Sequence, residues 1–322
     1  MSGWPREVDF RQLRFGVELE FAETDASRVV LPRGWSLDPS ERMLAMTGEF
    51  SGGEIKPSPL RWAQREGIAA GLRAIAEAGG VVNWSCGLHV HVDLASWGSA
   101  VLPAVLEAAL QTQSALRELF ATAEHRMLYC PAVTAAQCDA HAADPCEAAL
   151  RHAGRPEAAR SGINVSAWYD FGTVELRYPN ATLDPESALR CVELCLRWVS
   201  AVGAGVSLPS EAQALAAALD MPGTGYPPPH PQPVWHRREE QLTELMIPIL
   251  QPMCMAERPG ARILFVRPTP EGLYVKTDSG NEVNHRFWFR PHAAGFELLR
   301  IEDPPLSDIG GGGQPGSQTP SQ

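Results

Sequence analysis

The sequence predicts an α+β protein with one large domain and a small C-terminal element. Three stretches alternate apolar and polar residues with the period of a half-buried strand, and helical stretches with an apolar stripe lie between them. A proline-rich segment precedes four further short, strand-like stretches. We therefore expect a large domain over 1–220, a linker over 221–237, a small α/β element over 238–306 and a disordered tail over 307–322.

The composition is typical of a globular protein. The 322 residues are 44% hydrophobic and 20% charged, which is enough for a sizeable core. The net charge of −11 disfavours nucleic acid as a partner. A nucleotide ligand is still possible, because a bound divalent metal ion makes the local charge positive. The chain opens with polar residues and has no apolar run long enough for a bilayer, so we expect no membrane partner. Seven irregularly spaced cysteines predict free thiols in a reducing cytoplasm.

Residues 14–21, RFGVELEF, predict the first strand. Its odd-numbered residues are apolar, and its even-numbered residues include Glu18 and Glu20. Because successive side chains of a strand point to opposite faces, the two carboxylates share one face about 7 Å apart. An ordinary strand with a solvated acidic face is the open alternative.

The chain up to residue 94 predicts short strands, one helix and a second charged strand. The expected ranges are 35–40, 43–47, 54–56, a helix over 61–78 and a strand region over 81–94. Gly79 and Gly80 end the helix. In the last strand, VVNWSCGLHVHVDL, apolar residues alternate with His89, His91 and Asp93.

The rest of the chain predicts a third charged strand between helices. The expected ranges are a helix over 103–123, an irregular segment over 124–160, strands over 162–167 and 173–178 with a loop between them, and helices over 184–199 and 210–219. Asp184 is the expected N-cap of the 184–199 helix. In strand 173–178, Glu175 and Arg177 alternate with apolar residues. The C-terminal element is expected to contain a helix over 238–250 and strands over 263–266, 273–276, 286–289 and 296–301.

Three strands thus each carry two chemically active side chains opposite their apolar face: Glu18 and Glu20, His89 and His91, and Glu175 and Arg177. Glu54 lies between the first two strands. If the strands share a sheet, the clustered carboxylates need a cation, because they otherwise repel one another and take up protons. Oxygen-rich clusters with imidazoles suit Mg²⁺ or Mn²⁺, and an arginine suits phosphate. A zinc hydrolase or cupin-like site stays open for the histidine strand, and a simple ion pair for Glu175 with Arg177.

Four motifs resemble those of amidoligases in the carboxylate–amine ligase superfamily, which includes glutamine synthetase and glutamate–cysteine ligase. They are GVELEF, GGEIKPSPL, CGLHVHVD and RSGINVSAWYDFGTVELRYPNATLD. The resemblance covers about Phe15 to Trp198. It implies a glutamine synthetase-like curved antiparallel sheet backed by helices, with ATP and Mg²⁺ (or Mn²⁺) on its concave face, and makes 1–220 the catalytic domain.

The resemblance also implies roles for individual residues. It assigns metal ligation to Glu18, Glu20, Glu54, His89 and Glu175. It places Arg177 at the transferred phosphoryl group, His91 nearer the nucleotide or substrate, and Arg160 at a phosphate or a substrate carboxylate. We expect these last three to bind the cofactor and to act in catalysis.

The expected function is ATP-dependent ligation of a carboxylate to an amine through an acyl phosphate, with an amino acid or peptide as substrate. Asp93 and Glu49 are candidates for a general base, and segment 124–160 for a partial lid that excludes water. A metal-dependent amide hydrolase and a non-catalytic binding descendant of the fold are the alternatives. A partner enzyme or a homo-oligomer is compatible with this expectation.

Overall fold

The protein consists of antiparallel sheets and helices. Its computed structural model describes residues 3–38, 40–151, 160–279 and 284–303. This architecture confirms the predicted α+β class. The described chain divides into two compact units after Pro233. The tail expected over 307–322 lies outside the described residues.

The strands of the first unit are β1 (Arg14–Phe21), β2 (Trp35–Asp38), β3 (Met43–Leu44), β4 (Phe50–Ser51), β5 (Gly53–Pro57), β6 (Leu60–Arg61), β7 (Leu88–Asp93), β8 (Ile163–Asn164) and β9 (Thr173–Leu176). Its α-helices are α1 (Glu66–Glu77), α2 (Leu102–Leu119), α3 (Ala135–Ala143), α4 (Ala167–Phe171), α5 (Pro185–Gly203) and α6 (Ala212–Ala218). Short 3-10 helices cover Phe10–Gln12, Ala26–Arg28, Trp62–Gln64, Gly98–Val101, Glu124–Leu128 and Glu147–Leu150.

A seven-stranded sheet forms the centre of the first unit, in the order β2-β5-β1-β7-β9-β8, with β6 paired to β1. All of its strand pairs are antiparallel. The register creates three cross-strand pairs: Glu18 with His89, Glu20 with Glu54, and His91 with Glu175. The three charged strands therefore lie in one sheet and turn their charged residues to one face.

Helices cover the opposite, apolar face of this sheet. Phe15, Val17, Leu19 and Phe21 of β1 are at most 3% exposed. Helix α1 packs against β1 and β5, and α5 packs against β7. Burying an apolar side chain of this size contributes about 1.5–3 kcal/mol. Because the core determines which face of β1 is buried, Glu18 is held on the other face.

Capping side chains explain where two helices begin. At the start of α5, the Asp184 carboxylate accepts a hydrogen bond from the Ser187 N–H at 2.9 Å, which confirms the predicted N-cap. Thr134 and Gln137 form a capping box at the start of α3. The prediction of an irregular segment over 124–160 is therefore wrong for 135–143. Residues 152–159 of that segment lie outside the described residues.

Two other predicted elements differ from the structure. The strand predicted from residue 81 begins only at Leu88, because Asn83 turns the preceding chain. Its amide accepts from the Ser85 N–H at 2.8 Å and donates to the Leu44 carbonyl at 2.9 Å. The predicted loop over 168–172 forms helix α4, which Gly172 ends in a left-handed conformation with a φ of 69°.

The second unit is one helix on a four-stranded antiparallel sheet. Its elements are α7 (Val234–Glu257), β10 (Arg262–Thr269), β11 (Gly272–Asp278), β12 (Asn284–His292) and β13 (Gly295–Glu302), with the strands in chain order. The four C-terminal strands are confirmed, and each is longer than predicted. The helix predicted over 238–250 is also longer and contains Pro248 and Pro252. Buried apolar side chains of α7 and the sheet form a separate core: Met246, Leu250, Cys254, Ile263, Val266, Val275, Phe287 and Phe289.

The state of the cysteines and the character of the helices bear on two expectations about the chain as a whole. All seven cysteines are free thiols, as predicted. In the part of the chain that the structure describes, no helix has both the length and the apolar character of a membrane span.

Replacing Leu176 with Ala is expected to cost about 2–5 kcal/mol of stability, because this fully buried residue lies directly under the charged face and its loss leaves a cavity. Leu110→Ala is a matched control, since Leu110 of α2 is 41% exposed and its truncation should change stability by less than about 0.5 kcal/mol. Urea unfolding of both variants measures the difference. Equal unfolding midpoints would contradict the packing described here.

Candidate functional site

Ten polar side chains from six neighbouring strands and their ends form one surface, which we call the polar face. Its members are Glu18 and Glu20 of β1, Asp38 of β2, Glu54 and Lys56 of β5, His89 and His91 of β7, Asn164 of β8, and Glu175 and Arg177 of β9 and its end. Cross-strand neighbours on one face of a sheet lie about 4.5–5.5 Å apart, so the register alone brings these groups within contact distance. The polar face therefore combines five carboxylates with two permanent cations.

Two imidazoles connect Glu18 with Glu175 at the centre of the polar face. His89 Nδ1 lies 2.9 Å from Glu18 Oε2 and 3.6 Å from Glu175 Oε1. His91 Nε2 lies 3.3 Å from Glu18 Oε1 and 3.8 Å from Glu175 Oε1. Burial acts to raise the pKa of Glu18, but the hydrogen bonds from the two histidines hold it well below its usual range. Glu18 is therefore an ionised carboxylate at neutral pH.

Glu175 is held in place from both sides. It is only 2% exposed, and its Oε2 accepts from the Asn164 side-chain amide at 2.7 Å while its Oε1 accepts from Arg177 Nη1 at 2.5 Å. Ser166 donates to Asn164 Oδ1 at 2.6 Å and so orients the amide. Burial opposes ionisation, but the charge of Arg177 and the histidines lower the pKa of Glu175 to about 2. The carboxylate is thus charged and oriented by hydrogen bonds at both oxygens.

Arg177 has an unused donor. Nη1 contacts Glu175 and lies 3.5 Å from His89 Nδ1, whereas Nε is buried and has no hydrogen-bond partner among the described residues. A buried N–H without a partner costs about 1–3 kcal/mol unless a ligand or water satisfies it. The guanidinium therefore has capacity left for an anion.

Glu54 and Lys56 form the other end of the polar face. Lys56 Nζ lies 2.6 Å from Glu54 Oε1, 3.5 Å from Glu18 Oε1 and 3.8 Å from Asp38 Oδ2. Burial and the charges of Glu18 and Glu20 nevertheless raise the pKa of Glu54 to about 9. One ammonium is shared among several carboxylates, so Glu54 takes up a proton where no further cation is present.

Lys56 is a site residue that the sequence prediction missed. The signal was present, because the spacing of Glu54 and Lys56 in an extended strand puts both side chains on one face. The contacts with Glu18 and Asp38 could not be inferred in the same way, since they depend on how β5 pairs with its neighbours.

Close packing around Gly87 orients Glu20 and His89. The Gly87 N–H donates to Glu20 Oε2, and His89 Nε2 lies 3.8 Å from Glu20 Oε1. A Cβ atom at residue 87 would lie 2.3 Å from Arg126 Nη2 and 2.9 Å from His89 Nε2, so a larger residue there would have to displace one of these two side chains. Buried Arg126 donates to the carbonyls of Pro179 and Arg177 and thereby holds the backbone beside the site. Its guanidinium is satisfied by the protein itself.

His91 is oriented by one neighbour and bordered by another. Its Nδ1 lies 3.0 Å from Thr173 Oγ1, which directs Nε2 towards Glu18. The ring also meets Phe171 edge to face, with ring centroids 5.9 Å apart. Phe171 is 72% exposed at the end of α4. Sequence reasoning did not identify Phe171, because the segment that carries it was predicted to be a loop.

Three candidate residues make no hydrogen bond or ion pair with the polar face in the part of the chain that the structure describes. Arg160 is solvent-exposed, and the described part of the chain offers it no recorded ion pair. Asp93 accepts a hydrogen bond from the Ala95 N–H at 2.7 Å and so stabilises the turn after β7. Glu49 is exposed beside β4. The predicted metal-ligand candidates, Arg177 and His91 thus lie together, and Asp93 follows His91 by two residues on the same face of β7.

Two sets of potential metal ligands lie on the polar face. In each set the ligand atoms lie within 4.8 Å of one another, and the sets are Glu18 with His91 and Glu175, and Glu18 with Glu54 and His89. Carboxylate oxygens with one imidazole suit Mg²⁺ or Mn²⁺ better than softer metals. The excess of carboxylates over cations and the high pKa of Glu54 agree with this assignment. Either histidine can therefore serve as a ligand.

Comparison with known proteins identifies one family. The model of a family described as "putative amidoligase enzyme" matches residues 35–199, which is more than half of the chain. The matched region contains Glu54, both histidines of β7, Glu175 and Arg177, and it begins after β1. No curated protein sequence matches the chain.

Replacing Glu54 with Gln in metal-free protein is expected to change how stability depends on pH. Folded Glu54 keeps its proton up to about pH 9, whereas the unfolded side chain loses it near pH 4.5. Its contribution to stability is therefore present below pH 4.5 and is lost as the pH rises towards 9. The free energy of unfolding of Glu54→Gln, relative to wild type, should rise from about pH 5.5 to about pH 8.5.

Denaturant unfolding with EDTA at several pH values measures this trend. Glu77→Gln, on the exposed side of α1, is the matched control and should run parallel to wild type. A stability difference for Glu54→Gln that does not change with pH would show that the Glu54 carboxyl is not protonated in the folded protein.

Proposed function

The chain belongs to the family of putative amidoligase enzymes, and we propose that it is an ATP- and Mg²⁺-dependent carboxylate–amine ligase. The family match supports formation of an amide or peptide bond. The observation that carries the rest is the pairing of ionised, oriented carboxylates with an arginine that has a free buried donor. Such a site suits a metal–nucleotide and a phosphoryl group, and the polar face would correspond to the concave face of a glutamine synthetase-like sheet.

The proposed reaction follows from charge. ATP transfers its γ-phosphoryl group to a substrate carboxylate, and an amine then displaces phosphate from the acyl phosphate. Both reactants of the first step are anions, so the barrier falls only where fixed positive charge neutralises them. Bound Mg²⁺ or Mn²⁺ would supply most of that charge and would align the phosphate oxygens.

The residues of the polar face have different roles in the proposed reaction. Glu18 and Glu175 would hold metal together with His91, because their ligand atoms converge at the centre of the polar face. Glu20 and His89 lie beside this set and are further ligand candidates. Glu54 is a fifth ligand candidate, although Lys56 already contacts it. Arg177 would meet the transferred phosphoryl group through Nε, since Glu175 holds Nη1.

His91 has two roles in this proposal, and Arg160 has an outer one. His91 Nε2 would complete a ligand set with Glu18 and Glu175, while the edge of its ring borders exposed Phe171, where the nucleotide or the substrate would approach. Arg160 would bind a phosphate or a substrate carboxylate from the exposed segment before β8. The acyl phosphate must be kept from water, and segment 124–160, whose described part contains α3, is the proposed partial lid.

One trapping experiment tests the reaction type. The protein is incubated with Mg²⁺, ATP, pooled amino-acid and peptide carboxylates, and hydroxylamine as the amine. We expect ADP and hydroxamate in equal amounts, and neither product without a carboxylate. Amide hydrolysis without ATP would instead favour a metal-dependent hydrolase that uses the same acids and histidines. Absence of nucleotide binding in calorimetry would remove the ligase proposal.

Glu18→Gln and Arg177→Lys are expected to lower kcat of this reaction by about 100-fold or more. The first removes the charge of a metal ligand, and the second keeps a cation but removes the Nε donor and the planar guanidinium that would meet the transferred phosphoryl group. Both changes preserve side-chain size, so circular dichroism should show a folded protein. Arg73→Ala, on the exposed side of α1, is the control and should retain wild-type turnover. Normal turnover in either site variant would refute this assignment of the site.

A further inference from the structure

Lys56 occupies an unusual place for a lysine side chain. Its ammonium lies within 4 Å of three carboxylates, at 2.6 Å from Glu54, 3.5 Å from Glu18 and 3.8 Å from Asp38. The chain has only one other lysine, Lys276 in the second unit. The Glu54 side chain is 4% exposed, so this contact is made by a nearly buried acid. Lys56 thus sits where clustered acids would otherwise recruit a cation.

The two ligand sets of the polar face are not equivalent with respect to Lys56. Both contain Glu18, but only the set with His89 contains Glu54. The Glu54 oxygen nearest to Lys56, Oε1, has no other recorded hydrogen-bond partner among the described residues. A divalent ion using that oxygen would lie close to the ammonium, and like charges at such short range repel each other strongly where water screens them little.

From this arrangement we infer that the Lys56 ammonium takes the place of a divalent cation at Glu54. The polar face then binds a divalent ion at Glu18, His91 and Glu175, and the Glu54 set holds the lysine instead of a second ion. Lys56 is a positioning residue in this role, because it orients Glu54 and limits the number of ions. The inference rests on the metal site of the proposed function, but on neither ATP nor amide formation.

Counting bound ions tests the inference. EDTA-treated full-length protein is titrated with Mn²⁺, and free Mn²⁺ is followed by electron paramagnetic resonance. Wild type should bind one ion, and Lys56→Met should bind one more, because the substitution frees Glu54 and removes the competing charge. Lys56→Arg keeps a cation at this position and should retain the wild-type count. Lys276→Met is the matched control for loss of a lysine and should also retain it.

Thermal unfolding is the second measurement, and it covers the case in which metal-free Lys56→Met is unstable. A buried acid without its cation weakens the fold, and a ligand that binds only the folded state restores stability. Mn²⁺ should therefore raise the unfolding temperature of Lys56→Met more than that of wild type or Lys276→Met.

The outcomes separate this inference from the proposed function. An equal Mn²⁺ count in wild type and Lys56→Met, together with an equal thermal shift, overturns the inference and leaves the metal site standing. Two ions in wild type overturn it as well. No Mn²⁺ on any of the four proteins overturns the metal site and the proposed function with it.

Discussion

The site depends on the antiparallel pairing of β1 with β5 and β7. This pairing sets Glu18 opposite His89 and Glu20 opposite Glu54. A slip of one residue between these strands would turn the charged set towards α1 and α5 and the apolar set towards solvent. The apolar residues of β1 therefore specify the position of the carboxylates as well as the core. Fold stability and site geometry come from the same alternation.

The polar face is costly for the fold and useful for ion binding. Carboxylates in contact repel one another, and burial raises the cost of each charge. The protein offsets this cost unevenly: the Glu175 side has Arg177 and an oriented amide, whereas the Glu54 side has one shared ammonium and an acid that keeps its proton. Groups arranged with incomplete internal compensation are typical of sites that bind ions. Under the proposed function, the asymmetry would also give the two sides different capacities for metal.

Local signals in the sequence were sufficient to predict much of the fold and several residues of the polar face. Period-two alternation predicted the charged strands, and Asp184 marked the start of α5. The capping box at Thr134 and Gln137 was a readable signal that the prediction did not use. Strand order and register, by contrast, join segments that are far apart in the sequence, so no local pattern contains them. The contact of Lys56 with Glu18 and the hydrogen bond from the Asn164 amide to Glu175 both depend on them. The role of Arg126 as a backbone support is hidden for the same reason.

The central claim is that the polar face binds a divalent metal ion beside Arg177. Anomalous X-ray diffraction from crystals grown with Mn²⁺ and a non-hydrolysable ATP analogue locates such an ion directly. The account predicts an anomalous peak bonded to Glu18, His91 and Glu175, with the γ-phosphate next to Arg177. A peak that lies elsewhere, or fully occupied nucleotide with no metal on the polar face, would contradict it.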